Sequence, residues 1–204
     1  MGSWQLPSIA FSLPDWVCRS LPEPGHCFVS DEEKMGLAIE LSRLNVLHAT
    51  GGPFGAVIFE ATSGRLVAPG VNLVQYLGWA GAHAEMVAIA IADKRLGKFD
   101  LGDNPEIGYE LFSSTEPCSM CMGCVTWSGL RRLVCGASDQ DARAIGFDEG
   151  VKANDWVAQL RSRGIAVQQN VCREQAVSVL NAYNDHGGLI YNGRASTASG
   201  GAAS

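Results

Sequence analysis

Two short segments constrain this chain more than any property of the whole. Glu116-Pro117-Cys118-Ser119-Met120-Cys121 sets two thiols three residues apart behind a proline, and His83-Ala84-Glu85 lies about thirty residues upstream. A proline there suits the first turn of a helix, where N–H groups are spare and its missing donor costs nothing. Residues at i and i+3 share a helix face, so Cys118 and Cys121 can reach one ion. The positive end of the helix dipole favours the thiolate form that binds metal. His83 completes a set of one imidazole and two thiolates. Such a set leaves the fourth tetrahedral position of Zn2+ open to water, which is the catalytic arrangement rather than the structural one.

Charge supports the same chemistry. Zn2+ with two thiolates and a neutral histidine sums to zero, so hydroxide can form there near neutral pH. Glu85, two residues beyond His83, is placed to take the water's proton and pass it to a substrate. A lone C-x-x-C can also be a redox pair or half of a zinc ribbon. A ribbon needs a second pair at similar spacing, and none exists in the sequence. A redox pair leaves His-Ala-Glu unexplained.

The rest of the composition narrows the class. At 204 residues the chain suits one domain, and a domain of that size buries roughly 70% of its unfolded surface. It is 47% hydrophobic and 18% charged, with a mean hydropathy of +0.06. A net charge of −6 and a pI of about 5.2 argue against a nucleic-acid partner, because phosphate neutralisation relies on Lys and Arg. No basic run exceeds the pair Arg131-Arg132, read as the solvated start of a strand. Seven cysteines at irregular spacing do not form a secreted disulfide framework. No targeting segment is recognisable, and no apolar run approaches a membrane span. The expected setting is cytoplasmic, with no membrane partner.

Residues 1–29 carry four of the eight prolines, with Trp4, Phe11, Trp16 and Phe28, and read as an arm draped over the domain. Ser30-Asp31-Glu32-Glu33 is a capping box, and apolar residues at helical spacing predict a helix over 31–49. Thr50-Gly51-Gly52-Pro53 ends it. Strands are expected over 54–60 and 66–74, a buried helix over 83–97, a strand over 109–112 and a helix over 120–127. A strand over 133–135, a helix over 154–163, a strand over 165–167 and a helix over 172–184 follow. Alternation of this kind predicts one α/β domain over 30–194 with a central sheet covered on both faces. Residues 195–204 are small and polar and read as a flexible tail.

Pattern alone assigns less to the remaining candidates. Cys124 extends the cysteine spacing, but six helical residues rise about 9 Å, whereas donors of one zinc lie within about 4 Å. It reads as a small buried residue, as do Cys135 and Cys172. His48 at a helix end and His186 in a turn have plain structural readings. Asn72 at a strand end can meet the edge of a heterocycle or only satisfy loop backbone, and pattern leaves both open. Phe54 and Phe147, each beside a glycine turn, can stack on a planar base, although pattern favours packing. Asp148-Glu149-Gly150 reads as a solvated acidic turn.

H-x-E with P-C-x-x-C is the signature of zinc-dependent nucleobase deaminases, and the likeness goes further. Gly51-Gly52-Pro53-Phe54, Trp127-Ser128-Gly129, Ile145-Gly146-Phe147-Asp148-Glu149-Gly150 and Leu189-Ile190-Tyr191-Asn192 accompany the metal segments. Together they resemble the guanine deaminases of the cytidine deaminase fold, in their bacterial branch, over about residues 30–194. The resemblance implies a three-layer α/β/α fold with a central mixed sheet of about five strands. It implies Zn2+ held by His83, Cys118 and Cys121, with Glu85 as the main proton shuttle. Asn72 would hydrogen-bond a purine substrate, Phe54 and Phe147 would sandwich its ring, and Glu149 would read the guanine edge and help protonate the leaving amine. Tyr191 would close the site, and the protein would be a homodimer. The implied reaction is zinc-dependent hydrolysis of guanine to xanthine and ammonia, with attack at C2. Guanosine, cytidine or cytosine, and aminotriazines such as ammeline are the alternative substrates, and tRNA adenosine deaminases share the signature. The Pro- and Trp-bearing arm and Leu77-Gly78-Trp79 fall outside the family pattern, and Trp79 is expected near the pocket rim.

Overall fold

The computed structural model describes residues 4, 6–8 and 10–192, so the expected tail over 195–204 lies outside the described residues. In chain order the elements are α1 (Asp15–Ser20), α2 (Asp31–Leu47), β1 (Gly55–Glu60), β2 (Leu66–Val71), α3 (Val74–Leu77) and α4 (Ala84–Leu96). There follow β3 (Tyr109–Thr115), α5 (Ser119–Trp127), β4 (Arg132–Ala137), α6 (Asp139–Ala144), α7 (Trp156–Ser162), β5 (Ala166–Gln168) and α8 (Arg173–Asp185). The five strands form one sheet in the order β2-β1-β3-β4-β5. β1 runs antiparallel to β2 and β3, while β3, β4 and β5 run parallel. This is the mixed five-strand sheet expected of the cytidine deaminase fold.

Side-chain alternation along the strands builds two cores. Val57 and Phe59 of β1 and Phe112 of β3 face α2 and α8, whereas Ala56, Ile58 and Leu111 face α4 and α7. The period of two makes this division automatic once each strand is buried on both sides. Phe59 and Phe112 meet edge to face at 5.6 Å, and each buried ring contributes roughly 1.5–3 kcal/mol. On the other face α4 lies so close to β2 that a Cβ on Gly70 would come within 2.2 Å of the Ala84 carbonyl oxygen. Only glycine fits there, and that contact sets the height of α4 above the sheet.

Local signals account for most boundaries. Ser30 Oγ accepts from Glu33 N at 3.2 Å and Glu33 Oε2 accepts from Ser30 N at 3.3 Å, the reciprocal capping box anticipated for α2. Three short helices escaped the periodicity. α3 and α6 span four and six residues, too few to repeat an apolar stripe. α1 converts part of the expected draped arm into a helix whose Trp16 and Val17 are buried in the core.

Arg132 also departs from expectation. It is not a solvated strand start: its guanidinium binds Asp31, reaches Glu110 at 3.0 Å and meets Gln168. Glu110 in turn takes the buried ammonium of Lys34, which stands over the Phe59 and Phe112 rings. Among the described residues no helix is long and apolar enough to cross a membrane.

The sheet's register decides where a ligand can sit. Gly55, at the start of β1, pairs with Val71 at the end of β2, and Ala56 pairs with Ser113 near the end of β3. The loops before β1 and after β2, β3 and β4 therefore gather at one edge, outside the carboxyl ends of the parallel strands, where α/β sheets bind ligands.

Candidate active site

The metal ligands stand on two helix starts. His83 is the N-cap of α4, Cys118 is the N-cap of α5, and Cys121 lies in the first turn of α5. One donor atom from each lies within 4.8 Å of the others, and His83 Nδ1 is 3.4 Å from Cys118 Sγ. Tetrahedral zinc with bonds of about 2.0–2.3 Å holds its donors about 3.5–3.8 Å apart. The fit is close, and the donor set is the one zinc favours. A hydrogen bond from Cys121, joined by one to His83, pulls the Cys118 thiol down to about 4 against its burial. Donating that bond, together with burial, pushes the Cys121 thiol well above its usual value. One sulfur is thus already a thiolate, and a dication would favour ionisation of both. Cys124 is half-buried outside this cluster, and Cys135 is fully buried.

Glu85 occupies the first turn of α4 and is 6% exposed. Ser113 Oγ on β3 donates to its Oε1 at 3.3 Å. Burial first, and then the Cys118 charge, raise its carboxyl above the usual range. A buried carboxylate raised in this way is held as a proton acceptor of more than ordinary basicity.

The cleft in front of these groups collects the other expected residues. Phe54, Asn72, Phe147, Glu149 and Tyr191 line it with His83, Glu85 and Cys118, and Cys121 sits buried beneath. Asn72 satisfies loop backbone with one end of its amide and leaves the other end free. Its Oδ1 accepts from Val74 N at 3.4 Å, while its Nδ2 makes no hydrogen bond among the described residues. Glu149 is not in a solvated turn. It is 6% exposed, and burial, with the charges of Cys118 and Glu85, pushes its carboxyl up to about 8 against the opposing ammonium of Lys152. Its carbonyl accepts from Ser119 N at 3.0 Å, which ties the loop to the start of α5.

The two phenyl rings do not form the expected sandwich. Phe54 and Phe147 already touch edge to face, with centroids 4.8 Å apart and planes at 71°. A ring held between two aromatic faces needs about 7 Å, twice a carbon contact distance. They make a corner instead. Trp79 is also displaced from its expected place: it packs on Phe11 at 6.0 Å and is not among the residues lining the cleft.

Known proteins agree with this geometry. The profile of the cytidine and deoxycytidylate deaminase zinc-binding region matches residues 29–137, a span that includes all three ligands and Glu85. The chain belongs to this family. Within the deaminases it is 38% identical over 112 residues to a guanine deaminase of Bacillus subtilis, covering 55% of this chain and 67% of that one. A tRNA-specific adenosine deaminase of Haemophilus influenzae is 34% identical over 117 residues, covering 57% and 63%. The crystal structure of a guanine deaminase from Nitrosomonas europaea superposes with a TM-score of 0.83 at 39% identity, over 90% of this chain and all of the other. A crystal structure of a point mutant of NE0047 in complex with 8-azaguanine gives 0.84 at 38% identity, with the same coverage.

Some of this deaminase's cleft was invisible to pattern. Val74, Gln75, Glu116 and Leu189 line it without having been singled out. Asn192 acts from behind: its Nδ2 donates to Gly146 O at 2.9 Å and its Oδ1 accepts from Asp148 N at 2.8 Å. One amide thus grips the loop on both sides of Phe147. Its signal lay only in the Tyr-Asn pair. His186, by contrast, caps α8 and is exposed, as its turn context predicts.

Proposed function

We propose that this chain is a zinc-dependent guanine deaminase, hydrolysing guanine to xanthine and ammonia. The observation that carries the reading is a second buried carboxyl, Glu149, facing the same cleft as Glu85. The likeness over 90% of this chain to a guanine deaminase structure from Nitrosomonas europaea supports the same substrate.

Zinc bound by His83, Cys118 and Cys121 would supply the Lewis acid that makes water a nucleophile near neutral pH. Glu85 accepts that water's proton and delivers it to a ring nitrogen as the C2–O bond forms. Breaking the C2–N bond then requires a second proton on the amine. Glu149 supplies it, because a carboxyl raised to about 8 is a donor at neutral pH. The proton of the C2 hydroxyl passes to Glu85 as the C2=O bond forms, and return of that proton to Glu149 restores both carboxyls. Two acids spare one carboxylate from travelling between two sites. Asn72 offers its free amide hydrogens to the purine edge, the Phe54–Phe147 corner packs on the ring, and Tyr191 with Leu189 covers the opening. The family resemblance supports a homodimer, and seven free cysteines suit a reducing, cytoplasmic setting.

The test is formation of xanthine and ammonia by the zinc-loaded protein, with guanine, guanosine, cytidine and ammeline compared. Turnover of guanine alone is expected. Ammonia released only from another of these, or deamination of tRNA that weakens with salt, would replace the reading.

A further inference from the structure

The amino-terminal arm reaches the purine-facing wall by two routes that deamination does not explain. Trp16 on α1 is buried, its indole lies flat on His48 at 5.0 Å and 13°, and its Nε1–H donates to Thr50 Oγ1 at 3.2 Å. Thr50 Oγ1 donates to Asn45 Oδ1 at 2.6 Å. Asn45, fully buried near the end of α2, donates through Nδ2 to Gly52 O at 2.9 Å and to Asn72 O at 2.8 Å. An amide nitrogen carries two hydrogens, so both are committed. The relay runs one way, from the indole of the arm to the carbonyl of Asn72.

The crossing it holds is tight. A Cβ on Gly51 would stand 1.9 Å from Asn72 O, so the loop before β1 and the loop after β2 touch backbone to backbone. Asn72 is held from its other side as well, its N–H donating to Phe54 O at 3.1 Å. The second route passes through Phe11, which packs on Trp79. Trp79 N–H donates to Val74 O at 3.2 Å and Trp79 O accepts from Ala82 N at 3.0 Å. The arm therefore braces the segment that joins Asn72 to His83 at its middle, and Asn72 itself from beneath.

We propose that α1 and the Trp16–Thr50–Asn45 relay are a positioning device for Asn72, setting the angle at which its free amide meets the purine. The proposal rests on the reading that Asn72 binds the substrate. A group that contacts substrate must be held to a fraction of an ångström by neighbours that are themselves locked. Here the locking groups are a buried amide with three of its bonds made and an indole pinned by stacking.

Thr50→Val removes the hydroxyl and keeps the shape, and Trp16→Phe removes the donor and keeps an aromatic ring on His48. In the full-length, zinc-loaded protein each is expected to raise KM for guanine about fivefold, the scale of one net hydrogen bond. Turnover number and zinc content should hold. In an Asn72→Ala background neither should raise KM further, because the relay acts through Asn72. Deuterium uptake should rise in peptides covering residues 50–55 and 71–75 and not in β4. Unchanged KM with unchanged uptake would overturn the proposal. So would a KM rise that persists in full without Asn72, or a loosening spread over the whole chain. Were guanine not the substrate, the uptake pattern alone would decide: loosening confined to those two loops supports the relay, and any other pattern refutes it.

Discussion

The two walls of the cleft are built on opposite plans. The metal wall stands on the first turns of α4 and α5, so that three ligands come from two rigid helix starts. The facing wall draws Phe54 from before β1, Asn72 from after β2, Phe147 and Glu149 from beyond α6, and Tyr191 from beyond α8. Each ligand of the first wall is aimed by the helix start that carries it, and the packing of α4 on β2 sets the height of His83. The second is aimed by bonds made across the fold: Asn45 to Asn72, Asn192 to the Phe147 loop, and Ser119 N to Glu149. The metal-binding groups thus stand on helix starts, and the other residues lining the cleft stand on loops held from behind. Substituting a helix-borne ligand should abolish everything at once, while substituting a prop behind a loop should weaken one contact.

That contrast can be broken in stages. Cys118→Ser, or exposure to a strong chelator, should abolish zinc retention and turnover together, with metal analysis and a xanthine assay as the readouts. Zinc-free turnover would dissolve the metal wall altogether. Glu85→Gln should keep zinc and fold but lower kcat by about 10³-fold, within the range of a general acid–base group. Retained zinc with retained rate would remove Glu85 from the chemistry. A smaller loss, about 10²-fold, is expected of Glu149→Gln.

Glu149 adds a pH signature of definite sign. Its carboxyl is raised to about 8 chiefly by burial. The protonated donor predominates below that value, so the wild-type rate should fall as pH rises through it. The glutamine variant should lack that alkaline limb, and a limb unchanged in the variant would assign it to another group. Last and smallest, Asn192→Ala should cut kcat by about fivefold by freeing the loop between Gly146 and Asp148. A loss of zinc in that variant would mean that the two walls are less separate than their architecture indicates.

How much was legible follows the same division. Cys118, Cys121, His83 and Glu85 were readable because spacing along a helix is a geometric statement that needs no tertiary information. The capping box at Ser30 and Glu33 marked α2 for the same reason. Glu149 looked like a solvated turn because Asp148 and Gly150 flank it, and only its tertiary placement against the start of α5 takes it out of water. Arg132 looked exposed until Asp31, Glu110 and Gln168 converged on it from three elements. Phe54 and Phe147 line the cleft, but their mutual contact, which rules out a sandwich in this arrangement, is a matter of side-chain packing that pattern does not carry.

The amino-acid sequence by itself determined the alternation of strands and helices and the ligand set with its neighbouring carboxylate, because these depend on periodicity and on residues a few positions apart. The register of β1 between β2 and β3, the burial of Glu149 and the wiring of the arm to Asn72 were decided only by the tertiary structure. They join residues from 16 to 149 through contacts whose strength depends on exclusion of water, and no stretch of chain carries that exclusion alone.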